Sequence, residues 1–362
     1  MNLKMKAKHM KKIKISTGRL IFYIVSAAVI TVAIIFAVVI YGAWRNPAGV
    51  FLKEALSSSS NAGADIQAEA APPQTDDEDA GNTGSEAVMA DNMDLSEFSN
   101  ENILNILLLG IDSDASREAK EMGWRSDMVM LCTLDIKNNT VSLTSIPRDT
   151  QTNVFHVDEN GQTTKEELTK INHAYSYGGG PDKYGAQNAM AAVKDFLSSS
   201  AGFSIPIQYY ISIDLENVPK LADAFGGVPV QLDVDFPELG KKGETVVIDS
   251  SNVHLFLQNR YDVGGDIARA RHHEEFLLSM MKEFKKKGGV KTVTGLMSFA
   301  MQYTRTDLSF QQIVALASIL DQCDLGSLDY KVINGDYQYI DGICYYLSDK
   351  TDVKNRVIAL MQ

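Results

Sequence analysis

The sequence predicts an α/β/α sandwich with a central mixed β-sheet, preceded by one N-terminal transmembrane helix. Three observations carry the prediction. Leu20 to Trp44 runs 25 residues without a formal charge. Residues 101–362 alternate apolar runs of strand length with longer segments of helical pattern, the signature of a layered α/β unit. Composition is otherwise ordinary, 45% hydrophobic and 22% charged, and a mean hydropathy of -0.11 excludes a polytopic membrane protein.

Four segments follow in order. Residues 1–19 hold six lysines and Arg19 and no acid, a basic cytoplasmic tail. Residues 20–44 form a helix of about 37 Å, enough to cross a hydrocarbon core of about 30 Å with some tilt. Tyr41 and Trp44 sit at its far end, where interfacial aromatics belong, and the basic flank keeps the N-terminus inside. A cleaved signal peptide would have an apolar region of about 7–15 residues, so this reads as an uncleaved anchor. Residues 45–100 carry eleven acids against Arg45 and Lys53, with Ser, Ala, Gly and Pro and no period. They read as a disordered tether with an r.m.s. reach of about 40 Å that fixes no orientation. Residues 101–362 are long enough to bury one large core.

Within the folded part, Ile103–Gly110 is a buried strand. Met128–Asp135 and Thr140–Ile146, joined by Ile136–Asn139, are a hairpin. Pro181–Ser200 is a helix, Ile207–Ile213 a strand, and Asp214 caps a helix running to about Ala224. Phe225-Gly226-Gly227 stops it before a strand at Val228–Val234. Helices are expected at Asp249–Arg260, Asp266–Lys286, Val290–Thr304 and Ser309–Gln322, then short strands at Tyr330–Ile333 and Cys344–Leu347 and a last helix after Asp352.

The net charge of -12 and a pI near 5.0 argue against nucleic-acid binding. Three cysteines without CxxC exclude a disulfide scaffold, and six histidines without HExxH argue against a zincin-type protease. Cys132 reads as core. Cys323 and Cys344 either pair or stay free. His156 and His173 lack neighbours at ligand spacing. Trp124 serves either packing or stacking on substrate, and Gly178-Gly179-Gly180 is either a mobile loop or a turn.

Polar residues interrupt the apolar pattern at four places: Asp112 at a strand end, Arg125-Ser126-Asp127, Pro147-Arg148-Asp149, and Gln258-Asn259-Arg260 with Asp266 and Arg269 around a glycine loop. Asp112 and Asp127 can share a hard cation such as Mg²⁺ through oxygen. Arg125, Arg148, Arg260 and Arg269 can clamp phosphate oxygens. Together they suffice for phosphoryl transfer, while the lack of G-x-x-x-x-G-K-[ST] argues against a P-loop enzyme. A structural Arg–Asp ion pair fits the same spacing.

NILLLGID, then RSDMVMLCTLDIKNNTVSLTSIPRDTQTNV, KINHAYSYGG, IQYYISIDLENVPKLADAFGGVPV and FLQNRYDVGGDIARARHHEEFLL closely resemble the LytR-CpsA-Psr family. The resemblance covers essentially all of 101–362. It implies an α/β/α sandwich on a single-pass membrane anchor, with the C-terminal domain extracellular. It implies an enzyme that moves a glycopolymer, teichoic acid or wall or capsular polysaccharide, from a polyprenyl-pyrophosphate carrier to peptidoglycan, with Mg²⁺ (or Mn²⁺). The implied roles are metal binding by Asp112 and Asp127, and pyrophosphate contact by Arg125, Arg148, Arg260 and Arg269. Asp266 would orient the arginines, and Asp127 or Asp149 would assist deprotonation of the acceptor hydroxyl. The apolar residues of Phe276–Met281 and Val290–Met301 would line a groove for the carrier tail or form plain core.

This chain departs from the family at two places. Gln258 stands where Arg-x-Arg is common, and a neutral donor is weaker than a charged one. His272-His273-Glu274 stands where Arg-Gln-Gln is common, so His273 joins Gln258 as a pyrophosphate contact. Arg271 is one position away, about 100° around the helix. Histidines titrating near pH 6.5 would make activity pH-dependent; the alternative is neutral substitution on a partly exposed face. These departures keep open a non-catalytic scaffold that holds lipid-linked glycans, and a polyprenyl-pyrophosphate hydrolase that uses water as acceptor.

Overall fold

The computed structural model describes residues 39–51, 102–113, 123–258, 265–288, 299 and 302–361. Most of the expected anchor and linker, and Arg260, lie outside these residues. No helix among the described residues is long and apolar enough to cross a membrane.

Apolar runs become the first three strands: β1 (Ile103–Ser113), β2 (Trp124–Asp135) and β3 (Thr140–Ser145). Asp135 shapes the β2–β3 turn by accepting from the Lys137 and Asn138 amides, both at 2.9 Å. Next come the polar hairpin β4 (Gln151–Val157) and β5 (Thr163–Lys170), helix α1 (Gly185–Ala201) and β6 (Tyr209–Asp214). Helix α2 (Val218–Ala224), β7 (Val228–Gln231), β8 (Thr245–Ile248), α3 (Val253–Gln258) and the long α4 (Gly265–Lys286) follow. The chain closes with β9 (Thr304–Thr306), α5 (Phe310–Gln322), β10 (Asp329–Val332), β11 (Gly335–Ile340), β12 (Ile343–Ser348) and α6 (Lys350–Met361).

The central sheet has six strands in the order β10-β3-β2-β1-β6-β9. β1–β6 and β3–β10 pair in parallel and the other neighbours antiparallel, so the sheet is mixed as expected. Alternation along β1 sends Leu107, Leu109 and Ile111 to a core shared with α1 and α6. Leu104 and Ile106 go to a second core with Met281 of α4 and Ala315 and Ile319 of α5. Burying each such side chain contributes about 1.5–3 kcal/mol, so both faces need cover. A third core joins α2, β7, β8, α3 and Phe276 of α4 beside the sheet.

Several expectations change. Asp214 makes no cap bond; its carboxylate faces Arg305 at 3.3 Å across β6–β9. The helix expected at Asp249–Arg260 starts only at Val253. Of the helix expected over 290–304, most lies outside the described residues, and Thr304 opens a strand instead. Gly178–Gly180 is a hydrogen-bonded turn. A Cβ on Gly180 would sit 2.4 Å from the Trp124 ring, so Trp124 packs there. The tether does not begin at residue 45: residues 47–51 are helical, and Phe51 is buried in the second core. Cys323 and Cys344 are free thiols, and Cys132 is core as expected.

Candidate functional site

β2 runs antiparallel to β1 and β3, so the start of β2 meets the ends of both neighbours. The β1–β2 register breaks there. Gly110 lies opposite Met128, but Ile111 lies opposite Ser126, which leaves Asp127 as an unpaired bulge residue. Bulges re-aim side chains next to functional sites. This one sets Arg125 opposite Asp112; an unbroken register would have put Ser126 there. Gly110 belongs to the same device: a Cβ would stand 2.9 Å from Met128 Cβ and 2.8 Å from Leu215 Cδ2.

The loop after β3 brings Arg148 to this bulge. Its Nη1 donates to Asp127 Oδ2 at 2.5 Å. Arg269, buried on the first turns of α4, places its Nη1 3.9 Å from the same oxygen. Asp149 faces Arg148 Nε at 3.8 Å and Lys170 Nζ at 2.9 Å. The loop is pinned from below, since Ile171 N donates to Thr150 O and Asn172 N to Arg148 O. Asp112, Arg125, Asp127, Arg148, Asp149 and Arg269 are therefore brought to one end of the sheet. The side chains of Gln258 and Asp266, and all of Arg260, lie outside the described residues.

Buried polar atoms without a hydrogen-bond partner concentrate at this place: Arg125 Nε, Ser126 Oγ, Asp127 Oδ1, Thr150 Oγ1 and Asn172 Oδ1. Native interiors leave few such atoms, and water, an ion or a ligand satisfies those that occur. The carboxylate oxygens of Asp112 and Asp127 are donors of the kind a hard divalent cation takes. Among the described residues no group of three or more His, Cys, Asp or Glu is arranged to hold a metal.

The histidines correct the sequence reading. His272, His273 and Glu274 are all buried, not on an exposed face. Burial, then the charges of Arg269 and neighbouring His272, pushes the His273 imidazole down to about 3. His272 is also lowered, chiefly by burial, and its ring packs among Phe236 and Phe256 at 4.9 and 5.1 Å. Burial and the charges of Arg125 and Lys170 hold His173 at about 4. These imidazoles are neutral near pH 7, so they do not supply the expected titration at 6.5. Arg271 is exposed, whereas His272, which stands where the family has arginine, is buried, so Arg271 lies on a different side of the helix.

Asp127, Ser145, Arg148, Arg269 and His273 line a small polar pocket. It shares Met128 and His273 with an apolar cavity of about 210 Å³. That cavity shares Leu108, Ile211, Leu277 and Met280 with a second apolar cavity of about 190 Å³, toward Leu316 and Leu320. Phe276, Leu277 and Met280 line the first cavity, as one of the two sequence readings had it. Lys170, Thr150 and Asn172 were not singled out from the sequence. The signal was present in KINH, where Lys170 and Asn172 are polar residues flanking an apolar one directly before a helical turn.

A profile of the family described as LytR_cpsA_psr matches residues 64–360. A curated protein named polyisoprenyl-teichoic acid–peptidoglycan teichoic acid transferase TagU, from Bacillus mycoides, is 27% identical over 276 residues, 75% of this chain and 83% of that one. Its namesake from Bacillus anthracis is 28% identical over 260 residues, 70% and 78% of the two chains. Among solved structures, B. subtilis TagV superposes with a TM-score of 0.58 at 24% identity, over 72% of this chain and 97% of that one. TagT bound to LIIa-WTA gives 0.55 at 19% identity, over 76% and 95%. These superpositions bear on the fold.

Proposed function

This chain belongs to the LytR-CpsA-Psr family, and from that premise we propose that it is a teichoic acid transferase acting between a polyprenyl-linked polymer and peptidoglycan. Its curated relatives carry that activity in their names. One observation supports the reading above the others. A carboxylate clamped through one oxygen by Arg148, its other oxygen buried and unpartnered, sits where a polar pocket adjoins an apolar cavity. A pyrophosphate with a hydrocarbon tail has that same polar–apolar division.

The donor is a polymer joined through pyrophosphate to a polyprenyl chain. The acceptor hydroxyl of peptidoglycan attacks the phosphorus nearer the polymer. A new P–O bond forms, the bridging P–O–P bond breaks, and polyprenyl phosphate leaves with the bridging oxygen. Arg125, Arg148 and Arg269, with Arg260 and Gln258, hold the phosphate oxygens and spread the developing charge. Asp127 or Asp149 assists removal of the acceptor proton, and Asp149 also places Lys170 and Arg148. Asp266 orients arginines of the set, and neutral His273, its ring N–H given to the Leu257 carbonyl, lines the pocket without adding charge. Asp112 and Asp127 would hold Mg²⁺ or Mn²⁺, which when bound supplies Lewis-acid stabilisation of the phosphates. Residues 1–19 as a cytoplasmic tail, 20–44 as anchor, the linker and an extracellular catalytic unit at 101–362 complete the proposal.

The test uses the full chain in vesicles with a polyprenyl-pyrophosphate-linked saccharide, Mg²⁺ and peptidoglycan fragments. Polyprenyl phosphate release should accompany glycan attachment. Arg148→Ala should lower turnover about 10²–10³-fold, the usual loss for one transition-state donor. Release without attachment would point to a hydrolase, and donor binding without release to a scaffold.

A further inference from the structure

Helix α5 has eight consecutive residues without a charge, Ile313 to Leu320. A helix that is apolar nearly all round needs more cover than one sheet face gives. Part of the cover comes from far away in sequence. Residues 39–45 and 47–51 are helical. Pro47 interrupts the first, and Asn46 caps the second by accepting from Gly49 N at 3.2 Å. Val50 and Phe51 pack into the core that contains Ala315 and Ile319. Phe51 meets the Tyr209 ring edge-on at 5.9 Å, and Ser318 Oγ donates to Trp44 O at 2.7 Å. The far end of the 25-residue apolar run is thus strapped to α5.

Charge at the neighbouring corner has the opposite sign to the rest. Residues 101–362 contain 25 basic and 35 acidic residues. Yet the last turns of α4 carry Lys282, Lys285, Lys286 and Lys287 around one acid, Glu283. Lys285 Nζ donates to the carbonyl of Cys323, the residue that ends α5, while Lys286 pairs with Glu283 and Lys287 Nζ donates to the carbonyl of Phe225. Lys282, Lys286 and Lys287 are exposed. The second apolar cavity lies between these helices, lined by Met281 and Phe284 of α4 and Leu316 and Leu320 of α5.

We propose that the corner formed by residues 39–51, α5 and the lysines of α4 is a docking surface for an anionic bilayer, and that residues 39–51 are the strap that holds it there. The proposal rests on reading 20–44 as a membrane anchor and the donor as lipid-linked. Trp44 and exposed Tyr41 belong at headgroup depth, and Ser318 bonds to Trp44 itself, which sets α5 at the same depth. Lysines near an anionic leaflet each add several-fold to its attraction. The cavity between α4 and α5 then faces the hydrocarbon, and a lipid tail enters it without crossing water.

The experiment compares two donors with the full chain in vesicles containing phosphatidylglycerol: a long-chain donor embedded in the bilayer and a water-soluble short-prenyl donor. Two variants are used, Phe51→Ser, and Lys282→Gln combined with Lys286→Gln and Lys287→Gln. Both should lose about tenfold in kcat/KM with the embedded donor, the size expected from removing a few membrane contacts. Both should stay within about twofold of the parent chain with the soluble one. Equal losses on both donors, or no loss on either, would overturn the proposal. Amide exchange over 310–322 gives a readout independent of turnover. The parent chain should protect α5 more in phosphatidylglycerol than in phosphatidylcholine vesicles, and the lysine variant should lose that difference. If the parent chain transfers neither donor, the transferase reading fails and the exchange result alone decides the docking surface: a lipid-dependent difference supports it, and identical exchange in both lipids rejects it.

Discussion

Glu274 holds its carboxyl in the interior with neither oxygen hydrogen-bonded. Burial pushes it up to about 8, against the pull of Arg271 and Arg356 and with a small push from Glu275. Native Glu274 therefore keeps its proton at neutral pH. Its folded value lies above the ordinary 4.5, so its contribution to stability is complete below that pH and is lost as pH rises through 8. His273 runs the other way: with a folded value of about 3 against 6.5, its contribution is present above 6.5 and is lost as pH falls toward 3. Glu274→Gln should remove the alkaline limb, raising Tm at pH 8.5 by several degrees, at about 2–4 °C per kcal/mol, and leaving Tm at pH 5 unchanged. Thermal melts across pH check this. The turnover profile should show no inflection near 6.5 that His273→Gln abolishes. Sequence alone could rank Asp112, Arg125, Asp127 and Arg148 as candidates because they stand out against apolar strands. It could not foresee neutral histidines, because their state depends on Phe236, Phe256 and the packed turns of α4.

At the scale of elements, the strands with continuous apolar runs were legible: β1, β2 and β3 lie where expected. The bulge at Asp127 was not, because one extra residue leaves an apolar run looking unbroken. The β4–β5 hairpin was missed because TTKEELTK has the charge pattern of a helix surface, and its strand form depends on pairing with β4. Helix α5 was placed correctly, and Ser309 with Gln312 forms its capping box. Gly110→Val tests the bulge. The new side chain collides with Met128, so stability should fall by about 1–3 kcal/mol in urea unfolding. Turnover should fall further than that loss explains, since the Asp112–Arg125 register goes with it. Wild-type turnover in the folded variant would show that the register is dispensable.

Across the whole molecule, both sheet edges come from the end of the chain: β9 at Thr304–Thr306 and β10 at Asp329–Val332. Helix α6 locks the second edge. Arg356, buried, donates through Nε to Thr144 Oγ1 at 2.8 Å, through Nη2 to Leu143 O at 2.9 Å, and pairs with Asp329. Thr144 is four residues before Arg148, so the latch braces the strand that delivers a site arginine. A chain ending at residue 349 loses Arg356 and strips α1 of its partner in the first core. It should show exposed apolar surface in dye binding and no cooperative melt; a cooperative melt like that of the full chain would mean α6 is dispensable.

That latch also imposes an order in time. The ribosome makes Arg356 long after the site residues from Asp112 to Arg269 have emerged. β10, the outer neighbour of β3, also follows all of them, so the sheet edge beside Arg148 closes late. The strand that delivers Arg148 is thus braced on its outer side by residues synthesised after every site residue.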